Sequence, residues 1–332
     1  MIVEPKFRGF ICTTSHPTGC KKNVENQIEY VKENGKIEGA KRVLVLGAST
    51  GYGLASAIVA SEACDAEVLG VSFEREAKGK RTASAGWYNI ESLKKFAEGE
   101  GKKFISVNGD AFSNEVKSEV IDLIKENMGK VDLVIYSLAA PKRKDPVSGE
   151  VYSSCLKTVG APFTSKTLDF HTGEIQDITI NPATEEEIEG TRKVMGGEDW
   201  MLWIEALKEA DVLEKGVKTI AYSYIGPEVT YPIYREGTIG RAKNDLEKTA
   251  GEITKVLKSL DGEGYISVNK ALVTQASSAI PIVSLYISIL YKVMKEKGTH
   301  EGCIEQIYRM FKELYEGKLN LDSENSIRID DL

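Results

Sequence analysis

Tyr234 and Lys243 form a Tyr-x8-Lys pair, and these two residue types together can handle a proton. An unperturbed phenol, with a pKa of about 10, is a reluctant acid at neutral pH, whereas a nearby ammonium favours the tyrosinate or strengthens the hydroxyl as a donor. Residues nine apart on a regular helix face opposite sides and lie about 13 Å apart along the axis. Because Gly237 and Gly240 offer a break, we predict Tyr234 on an approach loop and Lys243 in the first turns of the next helix. With 14 tyrosines in the chain, a chance pairing remains open on spacing alone.

A glycine-rich turn, Gly47-Ala-Ser-Thr-Gly-Tyr-Gly53, lies upstream of this pair. It follows an apolar run at 42–46 that is typical of a strand, and it precedes a small-residue helix at 54–63. A pyrophosphate needs backbone N–H groups at a helix N-terminus and glycines that leave its approach clear. The turn therefore predicts a bound dinucleotide, with the GxxxGxG spacing of short-chain dehydrogenases, and Lys243 could then hydrogen-bond the nicotinamide ribose. An ordinary strand-to-helix turn is the alternative.

Glu74 ends a second apolar run at 66–73, about 20 residues beyond the last glycine, where an acid accepts hydrogen bonds from the adenosine ribose. A carboxylate at this position repels a 2′-phosphate, so we expect NADH rather than NADPH. The opposing observation is a basic cluster that could hold that phosphate, formed by Arg75, Lys78, Lys80 and Arg81.

The charge balance argues against nucleic acid as a partner. The chain has 332 residues with 43 basic and 50 acidic side chains, a formal charge of −7, and it has no long Lys/Arg tract interleaved with aromatics. An anionic substrate must therefore meet a local basic patch, for which Lys142, Arg143 and Lys144 are candidates for carrier phosphates; a solvated charge run is equally open.

The cysteines and the N-terminus indicate a reducing compartment. Five cysteines without a framework spacing, and no signal peptide at the first residues, predict reduced thiols in the cytoplasm. Cys12, His16 and Cys20 lack a fourth ligand and make a poor zinc site, so no metal is expected. The uncharged stretch at 271–291 contains several polar residues and Pro281, which favours a buried loop and helix over a membrane span.

Strand-like and helical patterns alternate along the chain and predict an α/β fold, a doubly wound parallel sheet. Helices are expected near 90–98, 114–127 and 241–260, and six strands are expected at 42–46, 66–73, 103–107, 131–137, 217–222 and 265–268. Ligands of such sheets bind beyond the carboxyl ends of the strands. Asp110 could there bond the adenine amino group, and the backbone of Leu138 and Ala139 could flank the nicotinamide ribose.

Two segments interrupt this alternation. We expect an N-terminal extension at 1–39, a first part of the dinucleotide-binding core at 40–144, an insertion at 145–215 and the rest of the core at 216–332, in one compact unit. The insertion has a hairpin pattern, with strands at 167–170 and 175–180 around 171–174, and then a helix with a Thr184/Glu187 capping box. It could cover the substrate, and a decorative subdomain is equally open.

Several ordered segments of the chain resemble, over nearly its whole length, the trans-2-enoyl-CoA reductases and the related bacterial enoyl-acyl-carrier-protein reductases of the extended short-chain dehydrogenase type. The matching segments, in chain order, are His16-Pro-Thr-Gly-Cys20, residues 47–53, Thr82-Ala-Ser-Ala-Gly-Trp-Tyr-Asn89, Ser137-Leu-Ala-Ala-Pro141, Val194-Met-Gly-Gly-Glu-Asp-Trp200, Tyr222-Ser-Tyr-Ile-Gly226, the Tyr-x8-Lys pair and Leu272-Val-Thr-Gln-Ala-Ser277.

The resemblance implies roles for individual residues. Tyr234 would be the proton donor, Tyr224 would contact the substrate thioester, and Lys243 would bind NADH. Glu74 would select NADH. The other cofactor-binding residues carried over are Gly47, Ala48, Ser49, Thr50, Gly51, Tyr52, Phe73, Asp110, Ala111, Leu138, Ala139, Leu272, Val273 and Thr274.

The activity implied is reduction of the trans-2 double bond of an enoyl thioester, whose β-carbon accepts hydride because the negative charge can move to the thioester oxygen. Tyr234, helped by Tyr224, would bond the developing enolate, and the α-carbon would be protonated directly or through solvent. The segment at 271–291 is the candidate acyl channel. A CoA carrier is favoured by Tyr234-Arg-Glu-Gly-Thr-Ile-Gly240, with acyl-carrier protein as the alternative.

Two other functions remain open. Carbonyl reduction would be expected to use a shorter Tyr-x3-Lys pair, which Tyr234 lacks, and a non-catalytic NADH sensor would not need Tyr224, Tyr234 and Lys243 together. A monomer is expected, with a dimer as the alternative. Relatives usually continue past Ile327-Arg-Ile-Asp-Asp-Leu332, so a shortened member or a fragment is expected.

Overall fold

Short runs of valine, leucine and isoleucine form the central strands of this chain in a computed structural model that describes residues 2–8, 11–169, 172–274, 280, 282–317 and 319–330. The strands are β1 Phe7–Arg8, β2 Ile11–Cys12, β3 Arg42–Leu46, β4 Glu67–Ser72, β5 Phe104–Asn108, β6 Val131–Tyr136, β7 Lys142–Lys144, β8 Val151–Ser153, β9 Phe163–Leu168, β10 Ile175–Ile180, β11 Leu213–Ser223, β12 Glu263–Val268 and β13 Ile327–Arg328. The helices are α1 Pro17–Asn34, α2 Gly51–Glu62, α3 Ala85–Gly99, α4 Asn114–Asn127, α5 Glu185–Met195, α6 Glu198–Glu209, α7 Thr238–Leu257, α8 Val283–Lys297 and α9 Cys303–Glu316.

Within the described part of the chain, seven strands form one parallel sheet in the order β13-β12-β11-β6-β3-β4-β5. The chain runs outward in one direction through β3, β4 and β5, and in the other through β6, β11, β12 and β13. The order therefore reverses between β3 and β6, which is where open α/β sheets bind ligands. The doubly wound parallel sheet predicted from the sequence is confirmed, and all six expected strands are present with ends shifted by up to four residues.

Both faces of the sheet are covered by helices. Val43 and Val45 of β3 pack into one hydrophobic cluster, and Leu44 and Leu46 pack into the other, because successive side chains of a strand point to opposite faces. Helices α1, α2, α3 and α9 cover the first face, and α4, α6 and α7 cover the second. A strand buried on both faces is apolar without alternation, as the sequence shows.

Strand β13 was missed by the sequence analysis. It has only two residues, and it joins the sheet edge through the parallel pairs Ser267↔Ile327 and Val268↔Arg328. So short a segment carries no readable period, and its position depends on a partner about sixty residues earlier in the chain.

The segment expected as an insertion at 145–215 contains the antiparallel hairpin β9-β10, and its strand β8 pairs antiparallel with β7, which lies just before the predicted boundary. The first strand of the β9-β10 hairpin begins earlier than predicted, at Phe163. Phe170, the last residue of the predicted strand, and His171, the first residue of the predicted turn, lie outside the described residues. Thr184 caps α5 in the predicted box, with Thr184 Oγ1 accepting from the Glu187 backbone. Helix α6 belongs to the core, since Trp200 and Trp203 are fully buried.

In the uncharged stretch at 271–291, residues 271–274 lie outside helices and strands and residues 283–291 belong to α8. Its residues 275–279 and 281 lie outside the described residues. Val283 and Ile287 of α8 are buried, whereas Ile289 and Val293 are exposed, so only one face of the helix is covered. Among the helices described, none combines the length and the hydrophobicity that a membrane span requires.

Candidate active site

Three glycines shape the turn between β3 and α2, each for a different reason. Gly47 has φ +90°, and a Cβ on it would lie 2.2 Å from the carbonyl oxygen of Ser137 at the end of β6. A Cβ on Gly53 would lie 2.0 Å from the Gly47 oxygen, so the helix can approach the turn only without a side chain there. Gly51 has φ +55° and faces open space. The first two permit close packing, and the third leaves room for a ligand.

The N-terminus of α2 presents backbone donors to this open space. The residue preceding the helix, Thr50, is exposed and makes no capping hydrogen bond with its side chain within the described structure, and the first turn contains no acidic residue. The first N–H groups of a helix lack partners inside it and carry partial positive charge. Such a helix N-terminus is a site for a phosphate group, so the turn can hold the pyrophosphate of a dinucleotide.

Glu74 lies directly after β4 and is held toward the turn. Ser49 Oγ donates to Glu74 Oε1 at 2.6 Å. The Glu74 backbone N–H donates to Asn108 Oδ1 at 2.7 Å, and Asn108 Nδ2 donates back to the Glu74 carbonyl at 2.9 Å. A Cβ on Gly86 would lie 2.0 Å from Glu74 Oε1, so α3 begins against the carboxylate. The neighbouring Phe73 is 77% exposed, so its ring is available to pack against the adenine ring of a dinucleotide.

Asn108 and Gly86 were not among the predicted site residues. Gly86 falls within the family-like segment 82–89, which was a usable signal. Asn108 carries no local signal, because its role depends on the pairing of β4 with β5.

The basic cluster beside Glu74 is divided by the structure. Arg75 is half-buried, and its Nη2 donates to the carbonyl oxygens of Thr13 at 3.1 Å and Thr82 at 3.4 Å. Lys78, Lys80 and Arg81 are exposed. Arg75 therefore holds the N-terminal segment onto the loop, and Glu74 is the charge nearest the turn.

Tyr234 lies in a turn before α7 and Lys243 in the second turn of that helix, as the two glycines indicated. The Lys243 ammonium donates to the carbonyl oxygen of Tyr222 near the end of β11 at 2.8 Å, a partner that the sequence analysis did not identify. Burial lowers the pKa of Lys243 to about 8, and the nearby Glu247 partly opposes this shift. The ammonium is thus close to its titration point at neutral pH.

Tyr224 and Tyr234 pack edge to face with ring centroids 5.0 Å apart. Burial raises the pKa of Tyr234 well above its usual range, and burial together with Tyr286 and Tyr234 does the same to the pKa of Tyr224. Both phenols are therefore protonated at neutral pH. Of the two effects considered for Lys243, a stronger hydroxyl donor agrees with this geometry and a tyrosinate does not.

A row of side chains connects the glycine turn to Lys243. The ring of Tyr52 packs 5.3 Å from that of Tyr222, and the Tyr222 hydroxyl hydrogen-bonds Ser56 Oγ at 2.6 Å. Since the Tyr222 carbonyl receives Lys243, the phosphate-binding turn and the Tyr/Lys pair lie on adjoining elements at one end of the sheet.

The other predicted cofactor segments follow strands at the same edge. Leu138 comes after β6 and would be 3.2 Å from a Cβ on Gly47, while Ala139 is exposed. Asp110 and Ala111 come after β5, and one Asp110 carboxylate oxygen accepts from the Phe112 backbone at 3.0 Å.

The loop after β12 is held beside these segments by hydrogen bonds to Gln306 of α9. The Lys270 backbone donates to Gln306 Oε1 at 2.9 Å, and the Tyr52 hydroxyl donates to the same oxygen at 3.2 Å. This shared acceptor holds the start of the loop that carries Leu272, Val273 and Thr274 beside the glycine turn; Gln275 to Ser277 of that motif lie outside the described residues.

Two further predicted features take different places. Lys142 and Lys144 are exposed, but Arg143 is fully buried and donates to the Lys193 carbonyl at 2.6 Å and to Glu198 at 3.1 Å. The expectation that Arg143 meets carrier phosphates is therefore wrong, because alternate residues of β7 point to opposite faces.

His16 serves as a helix cap in the structure. Its Nδ1 accepts from the Gly19 backbone at the start of α1, at 3.3 Å. In the part of the chain that the structure describes, no three His, Cys, Asp or Glu side chains are grouped so that they could hold a metal ion.

An open surface cleft of about 710 Å³ lies between α1 and α3, lined by Lys21, Trp87 and Lys95 among others. Its lining includes Trp87 and Tyr88 of the family-like segment 82–89 but none of the predicted catalytic or cofactor-binding residues. The site is therefore defined by the carboxyl edge of the sheet and not by this cleft.

Rossmann-type proteins hold a dinucleotide across the same switch point of a parallel sheet, and the fold of this chain is of that class. Comparison with known proteins then narrows the class. The family model for the NAD(P)H binding domain of trans-2-enoyl-CoA reductase matches residues 2–79, and the model for the catalytic region of the same enzyme matches residues 81–315. The chain belongs to the trans-2-enoyl-CoA reductase family.

Individual relatives agree with this family. The trans-2-enoyl-CoA reductase [NADH] of Clostridium perfringens is 99% identical over all of this chain and 85% of its own length. The enoyl-[acyl-carrier-protein] reductase [NADH] of Flavobacterium johnsoniae is 59% identical over all of this chain and 84% of its own length. The crystal structure of Clostridium acetobutylicum trans-2-enoyl-CoA reductase in complex with NADH has a TM-score of 0.96 and 49% identity, covering all of this chain and 84% of that one.

Proposed function

We propose that this chain reduces the trans-2 double bond of enoyl-CoA thioesters with NADH, an oxidoreductase acting on a CH–CH group. The observation that carries the proposal is the pair of protonated phenols, buried Tyr234 and half-buried Tyr224, at the sheet edge that also has an open glycine turn. The near-identical relative named for the same activity supports it.

The chemistry asks for a donor at one oxygen. NADH, when bound, supplies the hydride that the β-carbon of the thioester accepts. Tyr234 donates a hydrogen bond to the thioester oxygen, where negative charge accumulates, and Tyr224 contacts the same group from the side. A donor fixed in a water-poor site stabilises this charge without reorganising, which lowers the barrier. The α-carbon is then protonated, by Tyr234 directly or through solvent.

Lys243 and the loop segments hold the cofactor in this proposal. The Lys243 ammonium has three donor hydrogens, of which one bonds the Tyr222 carbonyl within the described residues. The others are available to the nicotinamide ribose. Glu74, already held by Ser49, accepts from the adenosine ribose and disfavours a 2′-phosphate. The remaining cofactor contacts come from residues 47–52, 110–111, 138–139 and 272–274.

In this proposal the acyl chain lies against α8, at a crevice that is too narrow for water in the structure and would widen to admit the chain. Leu272 and Val273 line a narrow apolar crevice with Ile287, Leu290 and Met294. An apolar lining suits the acyl chain, whereas CoA or acyl-carrier protein differ only at a remote surface. We favour CoA, since relatives at 99% and 60% identity are named trans-2-enoyl-CoA reductases, and keep acyl-carrier protein as the alternative because a relative at 59% identity is named an enoyl-[acyl-carrier-protein] reductase.

We also infer a cytoplasmic monomer that folds as one unit from the four segments at 1–39, 40–144, 145–215 and 216–332. Free thiols support the reducing compartment: Cys12, Cys20, Cys64, Cys155 and Cys303 are all unpaired with one another. The burial of α1 and α6 in the two core clusters supports a single unit.

The test follows NADH absorbance with crotonyl-CoA, beside Tyr234→Phe and a blank without thioester. Turnover that is lost in the variant would establish the reaction and its proton donor together. Crotonyl-acyl-carrier protein in a parallel assay decides the carrier, because a much higher kcat/KM with that substrate would reverse the preference for CoA. NADH binding without turnover of either thioester would instead favour the sensor function.

A further inference from the structure

Lys117 is an almost completely buried lysine on α4, with 6% of its side chain exposed. Its ammonium donates to the carbonyl oxygens of Ala111 at 3.2 Å and Phe112 at 3.0 Å, and to Asp199 Oδ1 at 2.8 Å. All three donor hydrogens are therefore used inside the protein. Ala111 follows Asp110 in the loop after β5, so the lysine fixes the backbone of this loop from the protein interior.

Asp199 brings a second strand end into the same network. It lies in the first turn of α6, and only 2% of its side chain is exposed. Its other oxygen accepts from the Tyr136 hydroxyl at 3.2 Å. Tyr136 is the last residue of β6, directly before Ser137 and Leu138. One ion pair thus connects the ends of β5 and β6, which are separated in the sheet by β3 and β4.

Aromatic neighbours complete the network. Trp203, one turn beyond Asp199 on α6, donates its indole N–H to the Ala111 carbonyl at 3.0 Å. Its ring also lies beneath the Lys117 ammonium, 5.1 Å from the centroid. The Ala111 carbonyl therefore accepts from two buried donors on two different helices, and this fixes its direction.

A buried ion pair is weak evidence for stability, because the cost of removing both charges from water is comparable to what their attraction returns. An apolar pair would fill the same space with similar stability. What an apolar pair cannot do is bind two backbone carbonyls and a phenol with defined geometry. The arrangement therefore indicates a role in positioning the two loops.

We propose that Lys117 and Asp199 are positioning residues that set the affinity for NADH by fixing the segments at 110–111 and 138–139. This inference rests on the proposed function, which assigns those segments to the cofactor. Both side chains are buried beneath these segments and have no assigned contact with the cofactor or the thioester, so we expect the chemical step to be unaffected by their loss.

The test measures the dissociation constant of NADH by its fluorescence, together with KM and kcat, in three variants. Lys117→Met and Asp199→Asn each break the pair. The double variant Lys117→Met/Asp199→Leu removes both charges and keeps the protein foldable if the single variants leave an unpaired charge. We expect the dissociation constant and the KM for NADH to rise fivefold or more, with kcat at saturating NADH within twofold and the KM for crotonyl-CoA unchanged.

Lys102→Met is the matched control. Lys102 pairs with a second buried carboxylate, Glu62, at 2.6 Å. Glu62 is the last residue of α2, about 17 Å along the helix from the glycine turn. This variant should lower the melting temperature comparably and leave NADH affinity as it was. An unchanged dissociation constant in folded Lys117 and Asp199 variants, or an equal rise in the control, would overturn the inference. No NADH binding by the unmodified chain would overturn the proposed function, and the inference with it.

Discussion

Burial shifts the pKa values of the basic and acidic side chains of the site in opposite directions. It lowers the pKa of Lys243 to about 8 and raises that of Tyr234, so both groups are shifted toward their neutral forms. A buried neutral phenol is ready to donate a hydrogen bond to an oxygen that gains charge. The charge of a lysine whose pKa lies near the ambient pH changes with pH and with the binding of an anion nearby.

Replacement of the phenol tests its role. Tyr234→Phe removes only the hydroxyl from a buried ring, so we expect kcat with crotonyl-CoA to fall about 10²- to 10⁴-fold, with the KM for NADH little changed. Tyr231→Phe, in the same turn but half-exposed, is the control and should retain full activity. A normal kcat in Tyr234→Phe would remove this residue from the mechanism.

Activity and stability should respond to alkaline pH in opposite ways. Above about pH 8 the folded chain loses the Lys243 proton, so kcat/KM for NADH should fall as the ribose donor becomes neutral. Between about pH 8 and 10.5 the unfolded chain still binds this proton, so the Lys243 contribution makes stability rise with pH across that window. Profiles of kcat/KM and of denaturant midpoints would show this, and Lys243→Met should flatten both contributions. A kcat/KM that stays constant well above pH 8 would contradict the assignment.

Cofactor choice should depend on the carboxylate held by Ser49. Glu74→Gln removes the charge that repels a 2′-phosphate. We expect the NADPH-to-NADH ratio of kcat/KM to rise about tenfold, which corresponds to about 1.4 kcal/mol. Glu76→Gln makes the same change of charge two residues away on an exposed side chain and should leave the ratio near its original value. Equal ratios in the two variants would refute the role of Glu74.

At the scale of elements, the site is built from strand ends and one helix terminus. The turn after β3 packs on the end of β6, and the end of β11 receives Lys243 from α7. The strands among these elements are packed on both faces. The N-terminus of α2 is the exception, since its backbone donors face open space and are available to bind an anion.

The helix terminus can be tested by adding a single methyl group. Gly51→Ala places a side chain at φ +55° in open space, and Gly101→Ala does the same at φ +69° after α3. Each should cost about 1 kcal/mol of stability through the left-handed backbone. Only Gly51→Ala should also raise the KM for NADH, because only it obstructs the pyrophosphate. Similar KM values in both variants would place the pyrophosphate elsewhere.

At the scale of the whole molecule, the predicted segments are joined by shared packing. Helix α1 from the N-terminal segment packs against α2, α3 and α9, and α6 from the expected insertion lies in the second core cluster. The two halves of the sheet also meet at β3 and β6, where the cofactor is expected. Cofactor binding and global stability should therefore be coupled.

Unfolding experiments test this coupling. We expect one cooperative thermal transition for the chain, and saturating NADH at about 100 times its dissociation constant should stabilise it by about 2.7 kcal/mol. The measurement is calorimetry with and without NADH. Two separate transitions, with only one shifted by NADH, would show that the segment at 145–215 unfolds on its own.

The sequence by itself determined the elements and the local chemistry. Apolar runs, the glycine turn, the capping box at Thr184 and the break before Lys243 each depend on neighbours within a few positions, so they can be read without a fold. They gave the parallel sheet, the approach loop for Tyr234 and the strand ends that surround the site.

The tertiary structure decided which groups are buried and what they contact. The Tyr222 carbonyl beside Lys243, the burial of Arg143, the strand at Ile327 and the Lys117–Asp199 pair all join residues that are distant in the sequence. A side chain's pKa and its hydrogen-bond partners depend on the dielectric and the groups around it in space. These properties exist only once the sheet has assembled and its helices have covered both faces.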